Sequence, residues 1–435
     1  MNTRRRFVPG FNAAKRLAAY FLLLLAGLVV SSSRHPPTLG WNLAAVARNH
    51  SFDLWTWEID TLAQRTAQGL WASNQHVSSA DGIAVVRQYA ALSAQEERAL
   101  SRRDGLWAQR AVTGQAPGLR SAERQAAVLE SEVATQHQAV EAIVSQQIDT
   151  QLHRDGVQSS FLRWTHLDGF PFLRPTIVPR VFFQLGPLPN LLVVSPRDRI
   201  ELVGSVLIQP GLGPDEVNRL ENQAESLGVS SVVTGIGGLA AYPSMRPDDP
   251  SIRDLLITVA HEWTHHYLAL HPLGMAYFNS YSMREINETV ADMVGHEVGD
   301  AVYVRYYGKI QVPSSSSSSA SRSTGPSFLT LMRRIRVRVV RLLAKHDVTG
   351  AEAYMASARL GLARQGYYIS RLNTAYLAFF GSYAGTGNPY EGKLRLLRSR
   401  CGTLADFLEV VSQVHSPGDL DRELASPGCS ASVLK

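Results

Sequence analysis

Residues 250–292 read PSIRDLLITVAHEWTHHYLALHPLGMAYFNSYSMREINETVAD. Ser251 followed three residues later by Asp254 resembles a capping box, so a helix is predicted to begin near Ile252. Its apolar residues recur at three- and four-residue spacings, which is typical of a helix with one buried side. The polar residues of the same helix are expected on the other side.

That helix carries the pattern HExxH. His261 and His265 are one helical turn apart and project together, opposite the apolar side. Two imidazoles in this arrangement can bind one metal ion, and the glutamate beside them can accept a proton from a metal-bound water. The sequence therefore predicts a Zn²⁺ site with His261 and His265 as ligands and Glu262 as the catalytic base.

A zinc site of this kind needs a third protein ligand, and His271 is the first candidate. It occupies the place of the last histidine in the metzincin pattern HExxHxxGxxH. However, the glycine of that pattern, which allows the helix to stop and turn back, is Leu268 here. A helix that continues to Pro272 would carry His271 about 15 Å along its axis from His261.

Glu288 is the second candidate for the third ligand. Ser282 followed by Glu285 is another capping-box match, so a second helix is predicted to begin near Met283. On that helix Glu288 and Asp292 lie one turn apart on the same face. The residues between the two helices suffice for a loop that returns the chain antiparallel. This arrangement favours Glu288 over His271.

The HExxH motif followed by NExxxD on the next helix resembles the gluzincins, the thermolysin-like and aminopeptidase-like branch of the zinc metallopeptidases. The resemblance covers about residues 231–307. It implies a zincin-like catalytic domain with Glu262 as general base and Asp292 as the residue that orients a ligand histidine. It also implies three zinc ligands, namely His261, His265 and Glu288. The residue that stabilises the oxyanion stays open among several tyrosines.

The remaining sequence suggests an α+β protein with helical regions around a small mixed sheet. A helical pattern interrupted near residues 113–118 suggests two long helices in a hairpin, and short strand-like runs follow it. The predicted organisation is an N-terminal membrane anchor or signal (1–33), a mainly helical hairpin region (34–160), the zincin-like domain (161–310), a Ser-rich flexible loop (311–328) and a helical C-terminal region (329–435).

The N-terminus has the pattern of an export signal. Five positive charges precede fourteen apolar residues at positions 17–30. A spanning helix needs roughly twenty residues, so an uncleaved single-pass anchor and a cleaved signal both stay open, with the anchor favoured. The positive-inside rule places the catalytic domain outside the cytoplasm, secreted if the signal is cleaved.

Composition excludes several classes of protein. The chain has 435 residues, of which 45% are hydrophobic and 18% charged, so it is neither wholly disordered nor a polytopic membrane protein. Eleven positive charges fall in two segments, 4–16 and 333–345. Without these eleven the net charge of +6 becomes −5, so no nucleic acid partner is expected. Whether Cys401 and Cys429, its two cysteines, pair stays open.

The predicted activity is zinc-dependent hydrolysis of peptide bonds, with a peptide or protein as substrate and the membrane contacted through the N-terminal segment. Two alternatives stay open. One is a non-catalytic membrane-anchored interaction protein in which zinc is structural or absent. The other is a metzincin-like peptidase that uses His271 as its third ligand.

Overall fold

The computed structural model describes residues 37–67, 79–157, 179–236, 241–277, 279–310, 328–365, 367, 369–381, 389–426 and 428–429. Over these ranges the protein combines many helices with two small groups of strands. This mixture is compatible with the predicted α+β class. The predicted segment 1–33 and residues 311–327 of the predicted Ser-rich loop 311–328 lie outside the described residues.

The first third of the described chain is helical. Its helices are α1 (Pro37–Ala47), α2 (Leu54–Ala67), α3 (Ser79–Thr113), α4 (Leu119–Ala134) and α5 (His137–Arg154). Gly114 and Gly118 both have positive φ and separate α3 from α4, where the sequence predicts a break. Glycine adopts this left-handed conformation without the steric cost of a Cβ. A further break at residues 135–136, which the sequence did not predict, divides the second part of the hairpin into α4 and α5.

Five short strands and one helix follow. They are β1 (Phe183–Leu185), β2 (Asn190–Pro196), β3 (Gly204–Ile208), α6 (Pro214–Glu225), β4 (Val229–Gly235) and β5 (Ser244–Arg246). Strand β2 is the centre of an antiparallel sheet with the order β3-β2-β4. Strands β1 and β5 form a separate parallel pair in which Leu185 lies opposite Arg246.

The β2 sequence is apolar at consecutive positions because both faces of its sheet are covered. Leu192 and Val194 are buried in one cluster with residues of α1 and α6. Successive side chains of a strand point to opposite faces. Val193 therefore lies on the other face, where it is buried with Val232 and Ala375.

The largest hydrophobic core is built around two helices of the segment that carries HExxH. The remaining helices are α7 (Ile252–Ala269), α8 (Pro272–Met275), α9 (Tyr281–Tyr306), α10 (Phe328–Leu343), α11 (Val348–Ala363), α12 (Thr374–Gly381), α13 (Glu391–Arg400), α14 (Leu404–Val411) and α15 (Pro417–Ala425). Helices α7 and α9 share this core with α3, α5 and α13–α15. The core thus combines helices from before, within and after the predicted catalytic segment 161–310.

Two glycines allow α7 and α9 to pack closely. A Cβ at Gly299 would lie 2.7 Å from the backbone of Ile257, and one at Gly295 would lie 2.8 Å from the Ile257 carbonyl oxygen. Real Cβ atoms do not approach other atoms this closely, so a larger residue forces the helices apart. The close approach brings the polar residues of α7 and α9 within reach of each other.

We expect Gly299→Ala to lower the free energy of unfolding by about 1–3 kcal/mol, because it overpacks the α7–α9 contact. The matched control is Gly105→Ala in the middle of α3, where a new Cβ would meet nothing within 4 Å. That change should stabilise the protein by about 0.5–1 kcal/mol through helix propensity. Urea unfolding of both variants measures the difference. Equal effects of the two substitutions would contradict the close packing.

Asp149 on α5 gives the fold a defined dependence on pH. Burial raises the pKa of Asp149 from 3.8 to about 6, against the opposing effects of a hydrogen bond from the Val181 backbone N–H and of Arg180. The folded state therefore holds this proton more tightly than the unfolded state does. The stability that it contributes is complete below pH 4 and is lost as pH rises to about 6.

We therefore expect Asp149→Asn to match the wild type in unfolding free energy near pH 4 and to exceed it by about 3 kcal/mol at pH 7. Asparagine keeps the size and an acceptor oxygen for the Val181 N–H but has no charge to bury. Denaturant unfolding at both pH values measures the effect. A difference that is the same at pH 4 and pH 7 would show that Asp149 titrates normally.

The two cysteines form a disulfide. Cys401 and Cys429 are bonded, with their Cα atoms 5.0 Å apart and a sequence separation of 28. The bond ties the end of α13 to the segment after α15. In the loop-closure model, a cross-link of this span stabilises a fold by about 3–4 kcal/mol.

The described part of the chain includes no helix that is both long and apolar enough to cross a membrane. Even α3, which has 35 residues, carries nine charged side chains and is amphipathic. The predicted single-pass membrane location, with its extracytoplasmic catalytic domain, is contradicted by this finding. The apolar segment on which that prediction was based lies at positions 17–30, outside the described residues.

Candidate metal centre

Helix α7 begins where the sequence predicts. The side chain of Ser251 accepts a hydrogen bond of 3.2 Å from the backbone N–H of Asp254. Trp263 fixes the buried side of the helix, since it is fully buried and its Nε1 donates to the Pro179 carbonyl oxygen at 2.8 Å. The other side of α7 does not face open solvent but packs against α9. His261 and His265 are therefore mostly buried.

Helix α9 begins two residues earlier than predicted. Its N-cap is Ser280, whose side chain accepts a hydrogen bond from the backbone N–H of Met283 at 3.2 Å. The predicted cap, Ser282, lies inside the first turn. The phase of the helix is unaffected, and Glu288 and Asp292 both reach the histidines of α7.

Three side chains offer donor atoms to a common centre. The Nε2 atoms of His261 and His265 are 3.0 Å apart. Glu288 Oε2 lies 3.6 Å from His261 Nε2 and 3.4 Å from His265 Nε2. Within the described residues this is the one group of three or more His, Cys, Asp and Glu side chains placed to hold a metal ion. The structure thus brings together the three residues that the sequence proposed as ligands.

The two imidazoles are oriented by oxygen atoms behind them. Asp292 Oδ1 lies 2.9 Å from His261 Nδ1, and Asn287 Oδ1 lies 2.8 Å from His265 Nδ1. An acceptor at each Nδ1 favours the tautomer that carries its proton there and leaves the Nε2 lone pair for a metal. The sequence interpretation gave Asp292 this position but missed Asn287. Asn287 directly precedes Glu288 in the sequence, and this position could have identified it as a partner of the site.

The charges around the centre favour a cation. Burial opposes protonation of His261, but Asp292 and Glu288 outweigh burial and raise the pKa of His261 to about 9. Burial also opposes ionisation of Glu288, but hydrogen bonds with His261 and His265 hold the pKa of Glu288 well below its ordinary value. A metal ion at this position would replace the proton and meet the same negative charge.

Tyr277 is a further member of the site that the sequence did not identify. Its hydroxyl donates to Glu288 Oε1 at 2.5 Å, and its ring lies edge-on to that of His265. Burial raises the pKa of Tyr277, so the phenol stays neutral and remains a donor. It thereby holds one oxygen of Glu288 while the other faces the histidines.

Glu262 lies beside the three donors but outside their group. The residue is 8% exposed, and its Oε1 accepts a hydrogen bond of 3.1 Å from Arg246 Nη1 at the end of β5. The structure thus places the predicted catalytic base on the β5 side of α7. Arg246 is a neighbour that the motif gave no reason to expect, because it comes from a different element.

The other histidines of this segment have separate surroundings. His271 follows the end of α7 and is the N-cap of α8, and its ring packs on Tyr267 with 4.7 Å between centroids. Burial lowers the pKa of His271 to about 4. His266 Nε2 donates to the Ala241 carbonyl oxygen at 2.6 Å. Neither belongs to the metal-binding group.

The donor set suits zinc in type and in spacing. Zinc binds histidine nitrogen and carboxylate oxygen at about 2.0–2.1 Å, and tetrahedral geometry then separates neighbouring donors by about 3.4 Å. The three separations of 3.0, 3.4 and 3.6 Å lie around this value. No protein-family model, curated protein or solved structure matches the chain. The function is therefore inferred from the site itself.

Proposed function

We propose that the protein is a zinc-dependent peptidase of the gluzincin type. The observation that carries the proposal is the convergence of His261, His265 and Glu288 at tetrahedral separations, with the carboxylate of Glu262 on the same helix as the histidines. The three donors come from two packed helices, and each is hydrogen-bonded to a further polar group. This arrangement is typical of a metal site and not of a solvated polar surface.

The number and exposure of the donors favour catalysis over a structural role for zinc. Structural zinc sites take four protein ligands, whereas catalytic sites take three and leave a position for water or substrate. The described residues supply three donors here. The side chains of Glu288 and Asp292 are 41% and 69% exposed, so the centre is accessible from solvent. These features speak against the alternative of a non-catalytic protein with structural zinc.

The roles of the side chains follow from their positions. Bound at this centre, zinc would supply Lewis acidity that polarises a scissile carbonyl and acidifies a water. Glu262 would take the proton of the attacking water and pass it to the leaving amine. Asp292 and Asn287 hold the ligand imidazoles in the productive tautomer, and Tyr277 keeps the Glu288 carboxylate in place.

The full-length purified protein tests the proposal directly. We expect it to contain close to one zinc by elemental analysis and to cleave a fluorescently labelled, unstructured protein. A chelator should abolish cleavage, and added zinc should restore it. Cleavage that is insensitive to the chelator, or a protein that does not retain zinc, would overturn the proposal. Retained zinc without cleavage of any of a broad set of peptides would instead support the interaction protein.

A further inference from the structure

Arg246 is held at a fixed position beside the metal centre. It ends β5, where it lies opposite Leu185 of β1, and its carbonyl oxygen accepts a hydrogen bond of 3.0 Å from Gly186 N–H. The facing strand is fixed in turn, because the backbone N–H of Leu185 donates to Glu141 Oε1 at 2.8 Å. The backbone of Arg246 is therefore part of a rigid support.

The segment that connects β5 to α7 is fixed as well. Asp248 accepts a hydrogen bond of 2.9 Å from the Tyr89 hydroxyl, and His137 Nε2 lies 2.7 Å from the same carboxylate oxygen. Tyr89 belongs to α3 and His137 to α5. Two helices outside the segment that carries HExxH thus anchor the chain two residues after Arg246.

The guanidinium of Arg246 is incompletely satisfied. Its Nη1 donates to Glu262 at 3.1 Å, while its Nε is buried and has no acceptor among the described residues. A buried donor without an acceptor is energetically costly, and native structures contain few of them. The Arg246 side chain keeps 14% of its surface exposed, so a ligand can reach part of it from solvent, although Nε itself is buried.

A carboxylate is the acceptor that fits these donors. The planar guanidinium presents its N–H groups as a fork that matches the two oxygens of a carboxylate. In this structure Arg246 Nη1 donates to Oε1 of Glu262. Glu262 is the residue that must be free to accept a proton. An incoming carboxylate would satisfy the donors of Arg246 and release Glu262.

We propose, on the basis of the proposed function, that Arg246 binds a carboxylate of the substrate next to the scissile bond. The favoured substrates are therefore peptides with a free C-terminus or an acidic side chain close to the point of cleavage. In the absence of such a substrate, the hydrogen bond from Arg246 occupies the carboxylate of Glu262 and hinders it from accepting a proton. This gives the site a preference for anionic peptides that the metal ligands do not provide.

Matched peptides test the preference. We expect wild-type kcat/KM to be about 10- to 100-fold higher for a short peptide with a free C-terminus than for its amide, as suits one charge-assisted hydrogen-bonded pair. An amidated peptide with Glu or Gln beside the cleaved bond forms the second pair. A preference in the first pair assigns the C-terminal carboxylate, and one in the second assigns an acidic side chain.

Arg246→Gln should abolish whichever preference the wild type shows, so that kcat/KM becomes equal for the two members of that matched pair. Arg246→Lys keeps the charge but not the planar guanidinium, so it should retain part of the preference. It replaces the glutamine variant if that variant does not fold. The control is Arg253→Gln at the start of α7, where the arginine pairs with Asp300 instead. That control should keep the full preference. Equal losses on all four peptides in Arg246→Gln would overturn the inference.

A binding measurement separates this inference from the proposed function. Fluorescence anisotropy of the same labelled peptides with zinc-free protein requires no catalysis. We expect the carboxylate peptide to bind about 10-fold or more tightly than its neutral partner, and Arg246→Gln to bind both equally. If this difference is found without hydrolysis by the zinc-loaded protein, the peptidase proposal fails and the carboxylate site stands. Hydrolysis without discrimination in either assay would reject the role of Arg246 alone.

Discussion

Glu262→Gln should lower kcat/KM for peptide hydrolysis by about 10²–10⁴-fold, the range that general-base assistance typically contributes. Glutamine keeps the size of the side chain and an oxygen that can accept from Arg246, but it cannot take a proton from water. Since Glu262 lies outside the group of three metal donors, the variant should still bind zinc and unfold at a similar temperature. Steady-state kinetics and elemental analysis measure the two effects.

Glu221→Gln is the matched control for this substitution. Glu221 is fully buried on α6 and accepts a hydrogen bond from the backbone N–H of Val233 on β4 at 2.8 Å. It pairs with Arg371, which keeps a second partner in Glu225. Loss of this buried carboxylate should leave hydrolysis unchanged. Near wild-type activity in Glu262→Gln would mean that another residue is the base.

The second large effect is expected on metal binding. Glu288→Ala removes one of the three donors and should weaken zinc binding by more than the 10- to 100-fold that is typical for loss of an orienting partner. Asp292→Ala and Asn287→Ala, which remove those partners, should fall within that range. His271→Ala should bind zinc like the wild type, because its ring packs on Tyr267 outside the centre. Competition with a chromophoric chelator ranks the four variants.

The order of these affinities decides between the two candidate ligands. Retained zinc in Glu288→Ala together with loss in His271→Ala would favour the metzincin-like alternative. Loss in both variants would point to unfolding of the α7–α9 connection, which thermal denaturation of each variant can detect. The connection is tight, since a Cβ at Gly274 would lie 2.1 Å from the Leu268 carbonyl oxygen.

Helix-level features of the site were predictable because they depend on residues close together in sequence. The cap at Ser251 and the shared direction of His261 and His265 follow from the 3.6-residue period within one helix. Helix phase likewise predicted that Glu288 faces the histidines, and it lies beside them although α9 begins at Tyr281 rather than near Met283. A start two residues earlier adds about half a turn at the N-terminal end and does not rotate the helix.

The tertiary structure decided what surrounds these helices. Periodicity placed the histidines on the side of α7 opposite its apolar residues. Helix α9 covers the side with the histidines, because Gly295 and Gly299 permit its close approach. Tyr277 comes from the loop between the two helices, and a loop has no period from which its direction can be derived. Asn287 was visible in the sequence, but its hydrogen bond to His265 depends on how α7 and α9 cross.

The sequence by itself determined the donor types, their spacing on two helices and the choice of Glu288 over His271 as the better-placed third candidate. Only the tertiary structure joined Cys401 to Cys429 and set Arg246 against Glu262. Arg246 precedes Glu262 by 16 residues and lies on a strand whose position is fixed by β1, α3 and α5. Contacts within a helical turn follow from backbone geometry. Contacts between elements depend on how the whole chain packs, and this cannot be predicted from a local sequence pattern.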